Sequence, residues 1–97
     1  MTAAANLPAS RDQATGQLYV PPRRFAADGS LRECEQLEVL AEGTLASWTR
    51  YRDQCYGLID LPEGPRVQAL LRDGPHELGA TYVGHRGEDG TVVFRCG

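Results

Sequence analysis

The chain holds few side chains able to carry covalent chemistry, and their spacing limits what they can do. His76 and His85 are its two histidines, with Asp73 and Glu77 close to the first. A carboxylate beside an imidazole can hold a metal or move a proton, but only when the groups converge in a pocket. Residues 73–79 read DGPHELG, a stretch of turn residues with room for at most one helical turn, and His85 ends an apolar run. Both positions are expected to be solvated. Ser10, Ser30 and Ser47 lie in no glycine elbow that would present a nucleophile. Eleven glycines are present, yet none has the spacing of a P-loop or a dinucleotide fingerprint. No catalytic set assembles, and the chain reads as a non-enzyme.

Residues suited to binding are more numerous. Trp48, Tyr51 and Tyr56, with Arg50 and Arg52 between them, have the types of a base-stacking platform for single-stranded nucleic acid. The charge balance opposes that reading: the formal net charge is -3 and the isoelectric point is near 5.3, where a nucleic-acid binder normally carries a basic face. Trp48 therefore reads as part of an apolar core or a protein interface. All ten basic residues are arginine. Arg23 and Arg24, after the Pro21-Pro22 pair, suit either a phosphate-bearing ligand such as coenzyme A or an acidic partner, or else a solvated pair on a flexible arm. Cys34, Cys55 and Cys96 form no metal knuckle, and an odd count makes no disulfide framework, so they are expected to be reduced thiols. No apolar run approaches a membrane span, and residues 1–9 lack the basic and apolar regions of a secretory signal. A cytoplasmic protein with no membrane contact is the expectation.

Short strands must position any such surface. From Leu31 to Ala41, Cys34, Gln36, Glu38 and Leu40 alternate with Glu35, Leu37, Val39 and Ala41, the period of a strand. Gly43 permits a bend or bulge. In residues 44–51, Leu45, Ser47, Thr49 and Tyr51 are expected on one face, with Thr44, Ala46, Trp48 and Arg50 on the other. Further strands are expected over 55–61, 66–71, 80–85 and 91–96, with hairpin turns at 62–65 and 87–90. About six short strands with near-regular turns predict a small all-β barrel or sandwich. Ahead of residue 31 the periodicity is lost. Residues 1–10 are small and uncharged, an expected disordered lead-in. Residues 11–30 read as an irregular arm, with a short extended piece at Leu18–Val20 and a turn at Asp28-Gly29.

Several small motifs recur in a telling order. Arg11, Gly16 and Leu18, then Pro21-Pro22-Arg23, then Gly29-Ser30, keep the frame of R-C-x-x-C-G-x-L, P-P-R and C-P-x-C-G-S. GTLASWT (43–49), LPEG (61–64) and DGTVVF (89–94) come after them. Over residues 11 to about 96 the chain thereby resembles the acyl-CoA-associated OB-fold family known as domain of unknown function 35. The resemblance implies a barrel of about five to six strands over 31–97, preceded by a zinc-ribbon arm over 11–30. It also marks a departure: the four cysteine slots hold Asp12, Thr15, Phe25 and Asp28. Zinc in a structural site takes four ligands, mostly thiolate or imidazole. Two carboxylates make a poor tetrahedral site and Phe25 cannot ligate, so a degenerate, metal-free ribbon is expected, with no cofactor. The arm would then be ordered by packing Leu18, Tyr19 and Phe25 on the barrel, or by a partner.

Members of that family resemble accessory subunits of thiolase-like or ketosynthase-like enzymes. The resemblance implies a hetero-oligomer in which this chain supplies no nucleophile and helps shape the partner's acyl-CoA channel. Tyr19, Pro21, Pro22, Arg23, Phe25 and Trp48 are the candidate contacts with the partner or with coenzyme A. The alternatives are a single-strand nucleic-acid binder and a free-standing acyl-CoA-binding module.

Overall fold

The computed structural model describes residues 4–72 and 74–96. Asp73, Gly97 and residues 1–3, the start of the expected lead-in, lie outside the described residues. The described residues contain eight strands and no helix: β1 Asn6–Arg11, β2 Leu18–Tyr19, β3 Glu35–Leu40, β4 Glu42–Tyr51, β5 Gln54–Asp60, β6 Arg66–Leu71, β7 Thr81–Arg86 and β8 Val92–Cys96. Five of them close a barrel in the order β4-β5-β6-β8-β7, and the first three form a separate sheet in the order β2-β1-β3. This is the small OB-fold-like, all-β architecture expected from the sequence.

Alternation builds the barrel. Cys55, Gly57 and Ile59 of β5 and Val67, Ala69 and Leu71 of β6 point into the core, with more exposed residues between them. Tyr82 and Phe94 fill the space from β7 and β8. The core is tightly filled where glycine takes an inward position. A Cβ on Gly57 would stand 2.8 Å from Leu71 and 2.9 Å from Leu45, and one on Gly84 would stand 2.8 Å from Val92. Glycine there lets backbone and neighbouring side chains meet at packing distance. Closure comes from Glu42, Gly43 and Thr44 of β4 pairing with Val83, Tyr82 and Thr81 of β7.

Three sequence expectations need correction. Residues 6–10 were expected to be disordered, yet they form most of β1, which pairs along its length with β3 from Asn6↔Leu40 to Arg11↔Glu35. The strand expected at the start of the barrel is therefore β3 of the small sheet, and the barrel begins at Glu42 rather than near residue 31. In β4 the register shifts between Leu45 and Ser47. Such a bulge reverses the facing of the residues beyond it. Trp48 and Arg50 lie opposite Gly57 and Cys55, on the same face as Leu45 rather than the opposite one.

The small sheet is tied to the barrel by backbone. Ala5 N–H donates to Gly84 O at 2.8 Å, and Ala5 O accepts from Ala41 N–H at 2.8 Å. Arg11 reaches Glu63 in the β5–β6 turn at 2.7 Å, and Arg86 donates to Asn6 O at 2.9 Å.

Candidate functional site

The arm that leaves β1 makes two turns. Asp12 opens the first, where Gly16 N–H donates to Asp12 O at 2.7 Å and Asp12 N–H to Gln17 O at 2.9 Å. The second is a hairpin around Asp28 and Gly29, closed by Ala26 N–H to Arg32 O at 2.9 Å and a bridge between Phe25 and Glu33. Each aspartate accepts from its own turn: Asp12 from Ala14 N–H and the Thr15 hydroxyl, Asp28 from Ser30 N–H. Short polar side chains cap turns this way.

Arg32 joins the turns. Its Nε and Nη2 donate to the two oxygens of Asp12 at 3.2 and 2.7 Å, and Nη2 also donates to Asp28 at 2.7 Å. Asp12 is buried, so its carboxylate requires a partner of this kind. The bond from Arg32 is the main reason its carboxyl titrates below the usual range. Asp28 is held at about 2, first by its bonds with Ser30 and then by Arg32.

Asp12, Thr15, Phe25 and Asp28 are the positions where the family frame places cysteines, and they do not fit zinc. The two carboxylates share a guanidinium, the Thr15 hydroxyl is given to Asp12, and Phe25 has no ligand atom. A cation already bridges the pair, and the remaining positions offer no thiolate or imidazole.

The remaining candidates separate into two places. Tyr19, Pro21, Pro22, Arg23 and Phe25 stay together on the arm. The Tyr19 hydroxyl accepts from Ala27 N–H at 3.1 Å, and the Arg23 guanidinium lies 5.6 Å from the Tyr19 ring centre. Arg23 N–H donates to Ser10 Oγ at 2.7 Å, fixing the chain after the prolines. Leu18 is buried as expected, whereas Phe25 is exposed and lies under Arg24. Pro21 and Pro22 form one lip of an apolar groove of about 420 Å³. Leu7, Pro8 and Val20 continue that lip, and Val67, Ala69, Leu70 and Phe94 form the barrel side.

Trp48 stands on the barrel, 41% exposed, in a second hollow with Tyr56 and Leu58. The two hollows share Gln68. The Trp48 ring covers His76 at 4.8 Å between centres, and His76 Nδ1 lies 2.9 Å from the hydroxyl of buried Tyr82. His76 is thus half-buried, not solvated as expected, and its Nε2 is buried with no partner among the described residues. His85 is likewise half-buried in β7. Glu77 is exposed and joins through its backbone N–H, which donates to the Tyr82 hydroxyl at 3.2 Å. Asp73 lies outside the described residues.

Sequence reasoning missed two features here. Arg32 carried a signal, standing four residues after Asp28, but its reach to Asp12 depends on the fold. Leu31 carried none. It is 74% exposed and adopts a φ of 60°, a backbone region leucine avoids, at the end of the second turn.

Comparison with known proteins bears on the whole assembly of arm and barrel. No protein-family model matches the chain, and no curated protein matches it. Among solved structures, the chain is similar to a chain of the structure named "Ltp2-ChsH2(DUF35) aldolase". The likeness has a TM-score of 0.74 at 20% identity and covers 94% of this chain and 84% of that one. The two share a fold, arm included, which supports the resemblance read from the sequence.

Proposed function

We propose that this chain is a member of the domain of unknown function 35 family. In this reading it acts as a non-catalytic subunit that docks onto a thiolase-like or ketosynthase-like enzyme and helps shape its acyl-CoA channel. The observation that carries the reading is the shared fold over arm and barrel together, with a structure whose name joins this kind of domain to an aldolase. The surface agrees with it. Pro21, Pro22 and Leu70 border an apolar groove, Trp48 borders the hollow beside it, and Leu31 and Phe25 stand out from the arm. Exposed aromatic and proline-rich surface of this kind is typical of protein interfaces. The chemistry would belong to the partner, in keeping with a cytoplasmic hetero-oligomer.

The test is to purify the tagged chain from its own host and identify and count what comes with it. A thiolase-like protein in fixed ratio, with thiolytic or aldol activity dependent on both chains, is the expected result. A chain that elutes alone, that turns over acyl-CoA alone, or that carries nucleic acid instead contradicts the proposal.

A further inference from the structure

Strands β6, β7 and β8 present a second polar surface that the docking reading does not use. Phe94 points into the core, so its neighbours Val93 and Arg95 face outward on β8. Register places His85 opposite Val93, and Arg72 N–H donates to Phe94 O at 2.8 Å, bringing the end of β6 alongside Arg95. Arg72, His85, Arg86, Gly87, Val93 and Arg95 line a hollow of about 340 Å³.

Like Arg23 and Arg52, the arginines of this hollow lack a carboxylate partner among the described residues, but here three of them come together. Arg11, Arg24, Arg32 and Arg66 each face a carboxylate. Arg72, Arg86 and Arg95 form no ion pair among the described residues. Arg86 is nevertheless held in place, donating to Gly90 O at 2.7 Å and to Asn6 O at 2.9 Å. Carbonyl partners fix its direction without cancelling its charge. Three guanidiniums without an ion-pair partner stand around one hollow and repel one another, offset in part by the Asp89 carboxylate beside Gly87, in a chain whose net charge is -3. An anion would relieve that repulsion.

We infer that this hollow between β6, β7 and β8 is a binding site for the phosphate group of a small molecule. Guanidinium groups match phosphate oxygens in number and direction and bind them in pairs. The volume lies at the low end for ligand pockets, which run from roughly 300 to 1,000 Å³. It suits one phosphorylated end of a small ligand, with Val93 as an apolar wall. No Phe, Tyr or Trp lines it, whereas single-stranded nucleic acid is gripped chiefly by stacking on such rings.

The experiment is calorimetric titration of the full chain with inorganic pyrophosphate at low salt. Wild type is compared with Arg72→Ala/Arg95→Ala and with Arg52→Ala/Arg66→Ala, which removes the same charge elsewhere. Arg72 and Arg95 are exposed and carry no side-chain bond among the described residues, and circular dichroism would verify that the variants fold. Saturable binding that weakens at least about tenfold in the first variant and stays near wild type in the second is expected, since each lost guanidinium removes charge-assisted bonds. Absence of pyrophosphate binding overturns the inference. So does equal weakening in both variants, or tighter binding of a single-stranded oligonucleotide than of pyrophosphate.

Discussion

The barrel and the small sheet with its arm are held by different forces. The barrel encloses an apolar core from Ala41 to Phe94 that includes the fully buried Ile59, Leu45 and Tyr82. The arm buries little apolar surface. Its centre is a buried carboxylate, Asp12, tied through Arg32 to Asp28, at positions where the family frame would place metal ligands. A zinc site and a carboxylate–guanidinium bridge solve the same problem, joining two turns too small for a core of their own. They respond to different conditions. The first answers to metal supply, the second to pH and salt. The comparison suggests that the arm can be loosened while the barrel stays intact.

The largest effect should come from the barrel. Ile59→Ala removes a buried side chain opposite Leu45 and should cost about 3 kcal/mol, unfolding the whole chain earlier in urea. Arg32→Ala should act next and more locally. It leaves Asp12 buried without its cation, so amide protection over residues 12–34 should fall sharply while that of β5 and β6 changes little. Loss of protection in the barrel as well would mean that the two regions are one cooperative unit. Arg32→Lys should rescue only part of the protection, because an ammonium lacks the forked donors that reach both aspartates.

Acid should distinguish the regions without mutation. Both aspartates titrate below the ordinary 3.8, with Asp28 at about 2. A carboxyl with a depressed folded value stabilises fully above its unfolded value and loses that contribution as pH falls through the folded one. Protection of the arm should therefore hold at pH 6 and fall between about pH 4 and pH 2. The Arg32→Ala variant should lose most of the part that comes from Asp12, held chiefly by Arg32, and keep much of the part from Asp28, held first by Ser30. The smallest effect is expected at Arg52, held at φ 58° in the β4–β5 turn. Arg52→Asn should raise stability by about 0.5 kcal/mol in thermal unfolding, since asparagine tolerates that conformation better.

The strands from residue 42 onward were legible because their apolar positions alternate and their turns, apart from Arg52-Asp53, carry glycine or proline. β1 was not. Its residues, NLPASR, are mostly small and include Pro8, which normally argues against a central strand. The sheet admits it because β2 covers only Ser10 and Arg11, leaving β1 without a second neighbour at Pro8. The facing of Trp48 was misread because a bulge at Ala46 leaves no signature in the residue types. His76 is half-buried rather than solvated because its cover, Trp48, is distant in sequence and Tyr82, six residues on, presents its hydroxyl to it from inside the barrel. The aspartates in the cysteine slots were legible, but the arginine that joins them was not, since its reach across 20 residues exists only in the fold.

In the proposed function, arm and barrel wall together form a docking face for a catalytic partner. Hydrogen–deuterium exchange on this chain, free and in complex with the co-purified thiolase-like enzyme, tests it most directly. New protection is expected over residues 20–31 and along β6, with the end of β4 around Trp48 included. Protection confined to other strands, or none at all in a complex of fixed ratio, would contradict it.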